Sequence, residues 1–174
     1  YSGFNKTIPF KKIASEIVDE TINNELSFYN KEAPAINTIK IENNKLIGYN
    51  TDYFGFSSLL FKKIESLDKI KKIIILGAGG AAKSIAYGLI EGFRNRKKDE
   101  TRNLLILNRS PAKAEELSHA LKNIDSPLKL SHGSLDKFEE NIENCDLLIN
   151  STSLGMEGID ANLTFNLDNS KKDL

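Results

Sequence analysis

A single cysteine, no net charge and no long apolar run are the first features of this chain, and each closes off a class of protein. Cys145 stands alone, so no intramolecular disulfide can form and a secreted, disulfide-stapled scaffold is excluded. The expected compartment is the cytoplasm, or an organelle stroma. Lys and Arg number 24, and Asp and Glu also number 24, which leaves no long-range field to draw in nucleic acid or anionic lipid. Any ligand must be held by local groups. The most apolar stretch, Ile73 to Ala82, stops at Lys83, far short of the roughly 20 residues that span a bilayer. Neither nucleic acid nor membrane is an expected partner. His119 and His132, the 2 histidines of the chain, have no zinc-type spacing with Cys145, so no metal is expected.

What is present is ordinary for a globular protein. The 174 residues are 40% hydrophobic and 28% charged, enough for one domain or two small ones. The chain opens at Tyr1 without a basic-then-apolar leader, and the expectation is that it starts within a protein. Helical spacing of Ile13, Ala14, Ile17 and Val18 predicts an amphipathic helix over Lys11 to Glu20. Two β-prone runs, 36–41 and 45–49, flank a polar turn at Glu42-Asn43-Asn44 and suit a hairpin. Phe56, Leu59, Leu60 and Ile64 then repeat at helical intervals, with Thr51 or Asp52 as the expected N-cap.

Past a boundary placed near residue 68, strands and helices alternate. The pattern predicts strands at 72–76, 104–107 and 146–150, a short strand at 128–130, and helices at about 80–92, 111–122 and 134–142. Such alternation argues for an α/β fold with a doubly wound parallel sheet.

Between the apolar strand and its helix stands Gly77-Ala78-Gly79-Gly80-Ala81-Ala82. Gly77 permits a tight turn, Gly79 lets a backbone approach a pyrophosphate, and the helix start beyond offers free N–H donors. The next strand ends in Asn108-Arg109-Ser110, where an NAD-binding unit would carry an acid for the ribose 2′-hydroxyl. Arg109, Ser110 and Lys113 instead suit a 2′-phosphate, which favours NADP as cofactor.

Groups able to do chemistry lie earlier in the chain. Pro9 stiffens the approach to Lys11, which opens a helix at a defined place; a lysine whose pKa is lowered by burial or by neighbouring cations can move a proton. Asn37 and Asp52 sit at the ends of predicted strands, where an open sheet presents groups to a ligand.

Six ordered stretches, Asn5 to Lys11, Ala35 to Ile39, Gly48 to Asp52, Gly77 to Ala82, Asn108 to Ser110 and Asn150 to Met156, resemble the motifs of the shikimate dehydrogenase (shikimate/quinate dehydrogenase) family. The resemblance implies part of an N-terminal α/β substrate domain, residues 1–68, followed by an incomplete Rossmann-type domain, residues 69–174. It implies NADP-dependent interconversion of shikimate and 3-dehydroshikimate in the shikimate pathway, with Lys11 as proton acceptor and Asp52 coupled to it. By the same resemblance Thr7, Asn37 and Asp52 bind substrate. Gly77, Ala78, Gly79, Gly80, Ala81, Asn108, Arg109, Ser110 and Lys113 bind NADP, and Ser151, Thr152 and Ser153 line its nicotinamide side. A homodimer is the assembly to test. The family has further segments before and after the matched stretches, so the chain reads as a fragment. Lys6 stands where the family usually has valine. The competing readings are a quinate/shikimate dehydrogenase and a non-catalytic NADP-binding module.

Overall fold

The computed structural model describes residues 2–5, 11–21, 36–64, 69–94, 101–122, 124 and 127–153. Two compact units emerge, one comprising Tyr1–Glu65 with Lys83–Asn95 and the other Ser66–Ala82 with Arg96–Leu174.

In the first unit, β1 (Gly3–Asn5), β2 (Glu20–Thr21), β3 (Thr38–Glu42) and β4 (Lys45–Tyr49) form a sheet in the order β1-β3-β4-β2. β3 and β4 are the predicted antiparallel hairpin, β1 adds antiparallel to β3, and β2 runs parallel to β4. The turn residues Asn43 and Asn44 have φ of 52° and 61°, the pair of left-handed values that a two-residue hairpin turn of matching twist requires.

Helix α1 (Lys11–Ile17) ends earlier than its apolar periodicity suggested. The Asp19 N–H donates to the Leu46 carbonyl at 2.9 Å and Asp19 Oδ2 accepts from the Leu46 N–H at 2.7 Å, so the chain has already turned to pair with β4. Ala14 is buried with Ile36 and Ile39, and Val18 and Leu46 pack against them, while Ile13 and Ile17 are 49% and 45% exposed. Half of the expected apolar stripe therefore faces outward.

Helix α2 (Thr51–Lys63) starts at Thr51, so Thr51 and Asp52 lie inside its first turn rather than capping it. Leu59, expected in the core, is 65% exposed. Within the same unit Asn50 Nδ2 donates to Ser84 Oγ at 2.9 Å, both residues being buried.

The second unit is built on β5 (Lys72–Leu76), β6 (Arg102–Asn108), β7 (Leu128–Ser134) and β8 (Leu147–Asn150), all parallel, in the order β7-β6-β5-β8. The order reverses between β5 and β8, which creates a crevice beyond the carboxyl ends of these two strands. Helix α3 (Gly80–Arg94), counted with the first unit from Lys83 onward, follows β5, while α4 (Pro111–Lys122) follows β6 and α5 (Phe138–Ile142) follows a 3-10 turn at Leu135–Lys137. The predicted helix over 134–142 is thus shorter, because Ser134 still pairs with Asn108 as the last residue of β7.

Two strands are longer than their apolar cores. β6 begins at Arg102, two residues ahead of the strand predicted at 104–107, and Arg102 is 1% exposed. β7 continues through Ser131, His132, Gly133 and Ser134, polar positions that an edge strand tolerates, since among the described residues β7 pairs on one side only. Ile74, Leu76, Leu107, Leu135 and Phe138 form a core cluster, with Leu105, Ile142, Cys145 and Leu148 against it. The period-2 alternation of β5 and β6 thus places one face of the sheet under α5. Cys145 behaves as a small apolar residue there, and burial pushes its thiol above the ordinary range. Among the described residues no helix is long and apolar enough to cross a membrane.

Candidate functional site

Each unit holds its own set of candidate groups. In the first, the end of β4 and the start of α2 bring Asn37 to Thr51 and Asp52. Asn37 Oδ1 accepts from the Thr51 N–H at 2.9 Å, satisfying one of the free donors of the first helical turn. Asn37 Nδ2 donates to Asp52 Oδ1 at 2.7 Å and to Thr51 Oγ1 at 3.0 Å. The amide therefore holds the carboxylate and the helix start together, and it is itself 8% exposed.

The network extends beyond the residues singled out from the sequence. Thr38 Oγ1 donates to Asn5 Oδ1 at 2.9 Å and lies 3.3 Å from Thr51 Oγ1. Thr38 and Asn5 are not among the candidates read from the sequence and Thr51 is there only as an N-cap, although each stands inside a stretch that carries the family resemblance. They line an open cleft of about 610 Å³ together with Gly3, Phe4 and Tyr49. Lys40 also lines it, 2.9 Å from Glu42. The Glu42 carboxylate, through its hydrogen bond and its charge, raises the Lys40 ammonium above its ordinary range, which leaves it a fixed cation rather than a base. Lys11 opens α1 as expected. Thr7 lies outside the described residues.

In the second unit, Gly77 leaves β5 with φ of 105°, a backbone region that L side chains rarely adopt. Its N–H donates to the Leu107 carbonyl at 2.7 Å, which ties the turn to the neighbouring strand. A Cβ at Gly77 would lie 2.5 Å from Ser151 Oγ and 3.2 Å from Thr152 Cγ2. Ser151 closes the other side of the crevice, donating from both N–H and Oγ to the Leu76 carbonyl at 2.9 and 2.6 Å. Asn150 Oδ1 accepts from the Thr152 N–H and Oγ1 at 3.0 and 2.6 Å, shaping the turn that carries Ser153.

Gly79 differs from Gly77. No atom lies within 4 Å of the position a Cβ would take there, so the chain folds without needing glycine for its own packing. The exposed backbone of Gly79 and Gly80, with half-buried Ala78 and Ala81 beside them, leads into the N-terminus of α3. This is the arrangement that receives a pyrophosphate. At the end of β6, Asn108 Nδ2 donates to the Ser110 carbonyl at 3.0 Å, and that carbonyl accepts from the Lys113 N–H at 3.1 Å. Ser110 is thereby the N-cap of α4, with Pro111 at the first helical position. Arg109 and Lys113 are both exposed at this helix start, as a 2′-phosphate would require. The residues present fit a dinucleotide that carries that phosphate.

Comparison with known proteins identifies the family. The Shikimate / quinate 5-dehydrogenase family profile matches residues 59–166. The shikimate dehydrogenase (NADP(+)) of Methanococcus maripaludis strain S2 is 41% identical over 160 residues, covering 90% of this chain and 50% of the relative. Its counterpart from Aquifex aeolicus is 34% identical over 173 residues, covering 98% and 55%. The crystal structure of the Aquifex aeolicus shikimate dehydrogenase superposes with a TM-score of 0.72 at 32% identity, covering 96% of this chain and 54% of that one. The Thermus thermophilus enzyme in complex with NADP(H) and shikimate gives 0.62 at 28% identity, covering 89% and 49%. The chain spans about half the length of the relatives it matches. It belongs to the shikimate / quinate 5-dehydrogenase family.

Proposed function

We propose that this chain is part of an NADP-dependent shikimate dehydrogenase, in which residues 1–68 bind the substrate and residues 69–174 the cofactor. The observation that carries this reading is the Asn37-Thr51-Asp52 network, which fixes a carboxylate and an amide beside an open cleft. A dinucleotide-binding module without chemistry has no use for such a pair in its other unit. The relatives' names supply the substrate, since those from Methanococcus maripaludis and Aquifex aeolicus are both shikimate dehydrogenases (NADP(+)).

In the oxidising direction Lys11 takes the proton of the reacting hydroxyl. Asp52 accepts a hydrogen bond from the substrate and one from the neutral Lys11 amine, which becomes an ammonium on taking the proton, and Asn37 keeps the Asp52 carboxylate in one orientation. Thr7 adds a hydroxyl to the substrate's polar contacts. Gly77, Ala78, Gly79, Gly80 and Ala81 supply the backbone surface for the pyrophosphate. Arg109, Ser110 and Lys113 hold the 2′-phosphate on the turn that Asn108 shapes, and Ser151, Thr152 and Ser153 border the nicotinamide. The chemistry that NADP would supply when bound is acceptance of a hydride from the carbon that bears this hydroxyl.

The test is formation of reduced nicotinamide by the whole protein, offered shikimate or quinate with NADP or NAD. Shikimate with NADP is expected to turn over, and Lys11→Ala is expected to lower kcat by about 10²–10⁴-fold while NADPH binding is retained. Binding of NADPH with no oxidation of either substrate would overturn the reading in favour of a binding module. Preferential turnover of quinate would instead move the assignment within the family.

A further inference from the structure

Glu115 and His119 stand four residues apart on α4 and therefore share one face of the helix. His132 belongs to the edge strand β7, beside which α4 lies. Nothing in the sequence separation of the two histidines suggests a common ligand. The fold brings them together nonetheless. One carboxylate oxygen of Glu115 and one ring nitrogen of each histidine lie within 4.8 Å of one another, at the protein surface. The imidazole rings stand edge to face, with centroids 6.2 Å apart and planes at 88°.

These separations sit close to those of a metal centre. Ligand atoms bonded at about 2.0–2.1 Å to one tetrahedral ion are roughly 3.4 Å apart, and two such imidazoles have centroids about 5 Å apart. Closing the observed set thus takes up to about 1.4 Å between ligand atoms, which rotamer adjustment of surface side chains supplies. The donor set, two imidazoles and a carboxylate, suits zinc and its neighbours in the first transition row. It is a poor match for magnesium or calcium, which prefer all-oxygen shells.

We propose that Glu115, His119 and His132 bind a divalent transition-metal ion of the zinc class, with water completing the shell. Bound there, the ion ties α4 to the exposed edge of the parallel sheet, one turn beyond the helix start that carries Lys113. Its role is a structural clasp on this unit. The site stands whether or not the dehydrogenase reading holds, because it uses none of the residues assigned to substrate or cofactor.

The experiment is titration of the whole protein, stripped with chelator and dialysed, with zinc chloride, followed by calorimetry and by thermal unfolding with and without zinc. Uptake into a site whose occupation raises the unfolding temperature is expected. His119→Ala and His132→Ala should each weaken that uptake by at least about tenfold and remove the thermal shift. Glu116→Ala, a neighbouring exposed glutamate outside the cluster, should change neither. Unfolding temperatures measured without zinc, unchanged in the histidine variants, show that folding is intact, and Glu115→Gln gives a milder perturbation of the same set. Absence of zinc uptake at micromolar concentration would overturn the proposal. Uptake equal to wild type in the His119→Ala/His132→Ala double variant would do the same.

Discussion

The two units build their candidate sites with different materials. In the second, the geometry is carried by the main chain: Gly77 at φ of 105°, the open backbone of Gly79 and the N-terminus of α3. In the first, side chains carry it, through Asn37, Thr38, Thr51 and Asp52, with Asn5 reaching in from β1. A backbone site asks for residues that lack something, here a Cβ, whereas a side-chain site asks for particular functional groups. Substitutions should therefore fail in different ways in the two units.

Gly77 offers the severest break. Gly77→Ala combines a left-handed backbone with a Cβ forced to 2.5 Å from Ser151 Oγ, and strain with overpacking should cost about 2–4 kcal/mol of folding stability. Thermal unfolding is expected to shift down by several degrees or more. Gly79→Ala, two residues on, meets open space and should leave the unfolding temperature nearly unchanged while lowering NADPH affinity in a fluorescence titration. Equal stability of the two variants would erase the distinction between a glycine kept for folding and one kept for the ligand.

The side-chain site breaks more gently and with a pH dependence. Asn37→Ala leaves the Thr51 N–H without its acceptor and releases Asp52, an expected loss of about 1–3 kcal/mol. Asn37→Asp keeps an acceptor for Thr51 but sets a second carboxylate against Asp52 in place of the donor at 2.7 Å. Two carboxylates so close raise the pKa of the pair in the folded state above its unfolded value. The deficit of Asn37→Asp is then full at neutral pH, where both groups ionise, and shrinks as pH falls through the raised value and a shared proton restores a hydrogen bond. Denaturant unfolding at pH 7 and pH 5, compared with Asn37→Ala, checks the sign. A deficit that grew on acidification would show that the two side chains do not face one another.

This contrast explains how much could be read beforehand. The parallel sheet and its glycine turn were legible because Ile73 to Leu76 is apolar at every position and the turn follows directly, so strand, turn and helix are encoded within about ten residues. The α4 boundaries were equally local, set by Ser110-Pro111 at one end. The substrate-side network was not legible from local pattern, because Asn37 meets Asp52 only after β3 and β4 pair, and ordinary residues such as Thr38 and Thr51 gain meaning there alone. Position at predicted strand ends singled out Asn37 and Asp52, and family resemblance supplied the role expected of them. Tertiary context also overrode periodicity at Ile13, Ile17 and Leu59, which are apolar yet exposed, and at Arg102, which is charged yet buried. The same limit hid the Glu115, His119 and His132 cluster, whose i, i+4 half is visible in sequence while its third member comes from a strand whose polar end gave no β signal.

The smallest expected effect sharpens the comparison from the other side. Asn43 and Asn44 adopt left-handed φ as Gly77 does, yet both are exposed on a hairpin turn, so their side chains meet solvent rather than a packed neighbour. Asparagine tolerates this conformation through local hydrogen bonding, and glycine occupies it without a Cβ penalty. Asn44→Gly should therefore raise stability, by less than about 1 kcal/mol, because relief of the backbone strain is partly offset by the greater freedom of glycine in the unfolded chain. The change should leave the kinetics of the proposed shikimate dehydrogenase as they are. Chemical denaturation of the two proteins side by side reads the difference; a loss of stability would mean that the Asn44 side chain is itself part of what holds the turn. Glycine at position 44 would then be harmful where solvent surrounds the residue, and essential at position 77 where Ser151 does, with the sign set by what each Cβ touches rather than by φ.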